Sequence, residues 1–356
     1  MSGSAPRNAL EELLPALGVE LPVLAAPLAG GPGTAELVAA AARAGSLGFV
    51  GGGYKSPEAL AGELAGLRAE GVRHAVNLFV PNPLPVDRVE FARYAAEIAP
   101  EAERLGVALQ DGEPREEDDW WGEKVELLLA DPPPLVSFTF AIPPAREIAA
   151  LRRAGSLLVQ TVTTTQEARA AAGAGVDALA VQASTAGGHS GTMTPSAPPA
   201  ATTLPELIEA VAGAVELPLI GAGGVCTPEA ASAALRAGAS AVLAGTALLL
   251  SAEAGTAAAH RRALREQARE SVITRAFTGR YARGLRNGFI ERHEPTAPPG
   301  FPAIHHLTAP LRRAAASAGE PELLHLWAGT GFRQAREAPA GEILRELSGG
   351  TEERRP

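Results

Sequence analysis

Across 356 residues the chain is 46% hydrophobic but only 4% aromatic, and its formal net charge is −9. That length suits one α/β barrel with insertions, and the acidic balance argues against a DNA duplex or an anionic membrane surface as a partner. The single cysteine, Cys226, allows no internal disulfide, and no stretch has the apolar length of a signal peptide or a membrane span, so a cytoplasmic protein is expected.

A short helix over residues 9–17 precedes the first buried run, 21–29 (LPVLAAPLA), which breaks at Gly30-Gly31-Pro32-Gly33. Thr34 is placed to cap a helix over 35–44, which Gly45 would end. Residues 46–53 (SLGFVGGG) read as a second strand, 57–70 as a helix, and 74–80 (HAVNLFV) as a third strand containing Asn77. Continuous rather than alternating apolar character means parallel strands covered on both faces. Residues 81–131 leave the rhythm. A helix over 86–105 is followed by the acidic run 111–124 (DGEPREEDDWWGEK), read either as a solvated excursion or as a lid or homodimer contact anchored by Trp120 and Trp121.

The rhythm resumes with strand 135–140, helix 144–154, strand 156–162, helix 165–174 and strand 178–182. Helix 204–215, strand 218–224 (PLIGAGG), helix 228–237 behind Thr227, and strand 241–248 (AVLAGTAL) complete it. Eight strands in this alternation predict a closed (β/α)8 barrel over residues 1–250. Neither GGPG after the first strand nor GAGGVC at the seventh matches a dinucleotide fingerprint, and no glycine loop ends in Gly-Lys-Ser/Thr. Beyond strand eight, a helix over 252–271 carries Arg261, Arg262 and Arg265 on a solvated face. A basic, glycine-punctuated stretch follows over 273–291, then a proline-rich segment over 294–303 and helices over 307–318 and 320–328. The expected layout is a small, mostly helical cap over 251–310, helices over 311–347 closing on the barrel, and a disordered tail over 348–356.

Barrel active sites lie at the carboxyl ends of the strands. The residues expected there are rich in glycine and neutral polar groups and poor in carboxylates, which speaks against a metal site. The glycines at strands seven and eight have a specific meaning, because loops there often bind phosphate through backbone N–H groups. Gly223-Gly224 leads toward the helix near Pro228, and Gly245-Thr246 offers bare backbone and a hydroxyl. With a phosphate there, Asn77 and Gln182 point at the middle of the ligand, and flavin mononucleotide (FMN) has the phosphate and the amide-rich ring to match. The alternative is that both amides bond neighbouring backbone in the core. His189 follows Gly187-Gly188 on a turn after strand six and is the candidate general base. Nothing near Cys226 in sequence activates it as a nucleophile.

Together these segments resemble the nitronate monooxygenase family, over roughly residues 20–335. The resemblance is carried by APLAGGPGTAELVAAAARAGSLGFVGGGY, VNLFVPNP, QASTAGGHSG, GAGGV, AGTALL and FTGRYARGLRN. It implies an FMN-dependent barrel in which Asn77, Gln182, Gly187, Gly224, Gly245 and Thr246 hold the cofactor and the backbone of Ala26, Pro27 and Leu28 lies beside the ring. It implies that His189 removes the proton α to a nitro group, and that the nitronate is oxidised with O2 to a carbonyl compound and nitrite. Ala183, Thr185 and Ser190 stand where the family usually has Gly, Glu and Arg, and Leu243 stands where it has Gln or Met. Two alternatives keep the scaffold: an NAD(P)H-dependent flavin reductase of quinones or enoyl thioesters, and a tailoring oxygenase for a larger substrate.

Overall fold

In the computed structural model, which describes residues 8–109 and 112–349, eight parallel strands close into a barrel. They are β1 (Val23–Ala25), β2 (Gly48–Gly51), β3 (His74–Phe79), β4 (Leu135–Thr139), β5 (Leu157–Val162), β6 (Ala178–Gln182), β8 (Leu219–Ala222) and β9 (Ala241–Ala244); a two-residue strand outside the barrel, β7 (Gly188–His189), lies between β6 and β8 in sequence. The ring closes where β1 pairs with β9, Val23 opposite Val242 and Ala25 opposite Ala244. The helices around it are α2 (Ala35–Arg43), α3 (Pro57–Ala69), α5 (Trp121–Ala130), α6 (Ala145–Arg153), α7 (Thr165–Ala174), α8 (Leu204–Ala212) and α9 (Pro228–Arg236). Thr34, Ser56, Thr164, Thr203 and Thr227 each accept a backbone N–H in the first turn of the helix that follows, so those helices start where the sequence places a hydroxyl.

Period-two alternation divides the barrel wall between two apolar clusters. Leu24, Phe49, Val159, Ile220 and Leu243 fill the interior, joined by Leu10 and Leu14 of α1 (Asn8–Ala16). Val23, Ala25, Val50, Val76 and Val181 face outward onto the helices. Both sides of each strand are therefore dry, which is why the runs are continuously apolar.

Above the barrel sits a second layer built from two separated stretches. One is α4 (Arg88–Arg104); the other includes α11 (Gly288–His293) and α12 (Ala303–Ala318). They share a core of Phe91, Tyr94, Phe277, Phe289, Ile304 and Leu311, in which Phe277 and Phe289 stack at 4.5 Å. Helix α10 (Ala258–Glu266) and strands β10 (Ser271–Thr274) and β11 (Ala282–Leu285) complete this layer. Helix α13 (Ala340–Gly349) returns to the barrel, where Leu344 and Leu347 join the cluster of α2 and α9.

The structure differs from the sequence reading, or adds to it, in several places. The helix expected over 252–271 is cut to α10, because Gln267 turns left-handed (φ 53°) and the chain then extends into β10. Besides its helices the cap carries an antiparallel three-stranded sheet of β10, β11 and β7. The helix expected over 320–328 is one 3-10 turn, Pro321–Leu323; the chain then extends so that the Leu326 carbonyl accepts from Leu285 N at 2.8 Å. The end of the acidic run is not a solvated excursion, since it enters α5 and buries Trp121 against Phe138. Of the expected disordered tail, Ser348 and Gly349 belong to α13, and 350–356 lie outside the described residues. Among the described residues no helix is long and apolar enough to cross a membrane.

Candidate active site

One cavity of about 270 Å3 opens at the carboxyl ends of the barrel strands, under the second layer. Ala26, Pro27, Leu28, Asn77, Gln182, Gly187, Gly188, His189, Gly223, Gly224, Gly245 and Thr246 all line it. So do Tyr54, Phe79, Thr139, Phe140, His260, His325, Trp327, Gly329 and Gly331, which the sequence reading did not single out. No carboxylate lies on its wall.

At one end the wall is bare backbone. Gly223 and Gly224 run at φ 118° and 74°, a left-handed path that a side chain would strain. Thr246 Oγ1 accepts from Gly329 N at 2.9 Å, and Thr330 N donates to Thr185 O at 3.1 Å. A Cβ on Gly187 would come within 2.6 Å of Gly329 N. The Gly329-Thr330-Gly331 segment thus locks onto the turns after β6 and β9. Its signal in the sequence is two glycines around a threonine, masked by the helix assigned just before it.

The floor holds the amides, and both have protein partners. Asn77 Nδ2 donates to Ser137 Oγ at 2.8 Å and Thr139 Oγ1 at 3.1 Å. Gln182 Oε1 accepts from Gly191 N at 2.7 Å, and its Nε2 donates to the His189 carbonyl at 3.3 Å. Gln182 therefore clasps the turn that carries His189.

His189 belongs to β7 and pairs with Ala282 of β11, so the cap sheet holds it over the barrel mouth. Its ring is packed by Phe301 at 5.5 Å, Trp327 at 5.6 Å and Phe140 at 5.9 Å. Its Nε2 lies 2.9 Å from Thr278 Oγ1. Burial, then the charges of Arg280 and Arg312, push its pKa down to about 3, so the imidazole is neutral across the ordinary pH range. Arg280 is 1% exposed, stacks 3.9 Å over Phe140 and donates to the Thr192 and Asn82 carbonyls. Arg312 donates to the His305 carbonyl and to Thr308 Oγ1. Neither guanidinium has a carboxylate partner among the described residues. Burial lowers them to about 9 and about 10, which leaves both cationic at neutral pH.

The aromatic rim is under backbone strain. Tyr54 (φ 66°) and Phe140 (φ 86°) both adopt left-handed conformations, at a cost of order 1–3 kcal/mol each. Asp119 holds Tyr54 in place by accepting from its backbone N–H at 2.9 Å and by pairing with the buried Lys124 at 2.7 Å. The acidic run thus braces the cavity. Cys226 also lines it, but burial pushes its thiol up to about 12, and it is no nucleophile near neutral pH.

A model of the nitronate monooxygenase family matches residues 11–350. The chain belongs to the nitronate monooxygenase family. A nitronate monooxygenase from Pseudomonas aeruginosa is 33% identical over 349 residues, covering 93% of this chain and 96% of that protein. A probable nitronate monooxygenase from Staphylococcus aureus is 32% identical over 348 residues, covering 96% of each. Among solved structures, a nitroalkane oxidase from Streptomyces ansochromogenes superposes with a TM-score of 0.90 at 41% identity, covering 97% of this chain and 98% of that one. FabK from Thermotoga maritima, at 23% identity and a TM-score of 0.74, shares the fold. The protein is an oxidoreductase of this family, built on a (β/α)8 barrel.

Proposed function

We propose that this enzyme holds FMN and oxidises alkyl nitronates, and the nitroalkanes that yield them, with O2 to carbonyl compounds and nitrite. The observation that carries the reading is a cavity wall that holds His189 and no carboxylate, backed by two buried guanidiniums, Arg280 and Arg312, that form no ion pair among the described residues. Such a wall favours an anion.

The residues present fit FMN by the chemistry of their donors. The Gly223-Gly224 and Gly245-Thr246 turns meet a phosphate with backbone N–H groups and a hydroxyl, and no nearby acid opposes it. The backbone of Ala26, Pro27 and Leu28 would lie along the ring, and the Asn77 and Gln182 amides, which line the same cavity, would help hold it. Bound there, the flavin supplies two-electron oxidation and reaction with oxygen, chemistry that no side chain in this cavity can perform.

The chain's own residues do the rest. The rings of Phe140, Phe301 and Trp327 hold the His189 imidazole and exclude water from it. The imidazole takes the proton from the carbon next to the nitro group of a neutral nitroalkane. Arg280 and Arg312 lower the energy of the negative charge that then develops on the nitro oxygens. A nitronate beside the imidazole favours its protonated form, so the proton stays on His189 while the anion is present. A substrate that arrives as the nitronate needs no such base.

The test uses FMN-loaded protein, oxygen uptake and nitrite release. Both are expected with propyl-2-nitronate, and more slowly with 2-nitropropane. A loaded protein that consumes no oxygen with any nitronate would sink the reading.

A further inference from the structure

A neutral histidine has one N–H and one bare nitrogen, and only the bare one can take a proton. Which nitrogen of His189 is bare follows from Thr278. That hydroxyl is 1% exposed, lies 2.9 Å from His189 Nε2, and lies 3.1 Å from the carbonyl oxygen of Arg280. A carbonyl oxygen only accepts, and a hydroxyl has a single proton. Both contacts are hydrogen bonds only if Thr278 donates to Arg280 O and accepts from His189 Nε2–H. The opposite tautomer would send the Thr278 proton to Nε2. Two oxygens would then face each other at 3.1 Å in a dry environment with no proton between them, which is the costly way to bury polar groups.

We propose that Thr278 is a positioning residue that holds His189 as the Nε2–H tautomer, so that Nδ1 is the atom that accepts the substrate proton. Among the described residues the His189 ring makes its hydrogen bond through Nε2 to Thr278, and His189 lines the cavity whereas Thr278 does not. The acceptor is itself held rigidly. Arg280, whose carbonyl takes the Thr278 proton, reaches back to donate to the Thr192 carbonyl, and Ser190 N donates to Tyr281 O at 2.9 Å. The turn carrying the base and the turn carrying its tautomer lock are thus tied together on both sides. The inference rests on the reading of His189 as the base for neutral nitroalkanes.

The test compares Thr278→Val, Thr278→Ser and His189→Ala, each loaded with FMN, on 2-nitropropane and on propyl-2-nitronate. Thr278→Val is expected to lower kcat with the nitroalkane by roughly 10²- to 10³-fold, the scale of one lost catalytic hydrogen bond. It should leave kcat with the nitronate within about twofold, and Thr278→Ser should restore the nitroalkane rate. A merely structural role would lower both substrates together, and that result overturns the proposal. If His189→Ala abolishes nitroalkane turnover while Thr278→Val does not, the base reading survives and this inference fails. If His189→Ala leaves the ratio of the two substrates unchanged, the base reading fails and takes the inference with it. An independent readout needs no variant: the 15N histidine spectrum of the wild-type holoenzyme should show a protonated Nε2 on His189, and a protonated Nδ1 would refute the proposal.

Discussion

Two histidines of the upper layer, His189 half-buried on the cavity wall and His293 buried, stand in opposite states. His189 faces arginines and aromatic rings, and its pKa is pushed far down. His293, at the end of α11, has Nδ1 2.9 Å from Glu97 Oε1 and Nε2 2.9 Å from Glu101. Carboxylates only accept, so both of its nitrogens must carry protons and the ring is an imidazolium. Burial pulls its pKa down, but the hydrogen bonds and charges of Glu101 and Glu97 outweigh that and raise it. Burial alone therefore does not decide the state of a histidine; the sign of its neighbours does. The same side chain is the base we propose in one place and, joining α4 to α11, a clamp in the other.

Breaking the His189 side of this contrast should have the largest effect. His189→Ala is expected to lower nitroalkane turnover by about 10²- to 10⁴-fold while FMN remains bound, as read by oxygen uptake and the flavin absorbance. Breaking the His293 side comes next. The double change Glu97→Gln and Glu101→Gln strands a buried ring without its charged acceptors and should cost about 2 kcal/mol at pH 6, read from the urea midpoint. Arg312→Met tests why His189 is neutral. With one cation gone, the His189 pKa should rise and KM for a nitronate should increase by roughly tenfold, with a smaller change in kcat.

The smallest effect is on pH-dependent stability, and its sign differs between the two sites. His293 contributes stability that is full below the unfolded pKa of about 6.5 and is lost as pH rises through its raised folded value. His189 and His260, depressed to about 3 and about 4, behave in reverse: their contribution is present above about 6.5 and is lost as pH falls toward those values. His293→Gln should therefore lower Tm most under mildly acidic conditions, with the gap to wild type closing above neutral pH. A gap that widens toward alkaline pH would contradict the imidazolium assignment.

The barrel was legible because burial on both faces writes itself into the chain as continuous apolar runs such as 135–140 and 156–162, each ending in a turn. His189 and the glycines around it stood out for the same reason: a glycine pair after a buried strand marks a place where backbone must be exposed. The upper layer was less readable. Arg280 and Arg283 lie in a stretch that reads only as basic and glycine-punctuated, yet Arg280 is buried, because its desolvation is offset by carbonyls contributed from Asn82 and Thr192. Arg261 likewise leaves the expected solvated face to donate to the carbonyls of Leu249, Leu250 and Ser251, whereas Arg262 and Arg265 bond at the surface. Asp119 reads as one acid in a run of acids, and only its distance to Tyr54 N and Lys124 reveals a brace. For Arg280, and for the bond between Asp119 and Tyr54, the partner lies far away in sequence, and local pattern carries no trace of it.

Helix α13 bears on how the molecule is made. It packs between α2 and α9, beside β1, where the eighth helix of a regular barrel would stand. Nearly a hundred residues separate it from β9, and those residues build most of the roof. On the ribosome, the strands can emerge and pair in order, but the last gap in the wall stays open until residues 340–349 appear. By then the residues of the roof have already been synthesised, so the segment that seals the side emerges after those that form the ceiling.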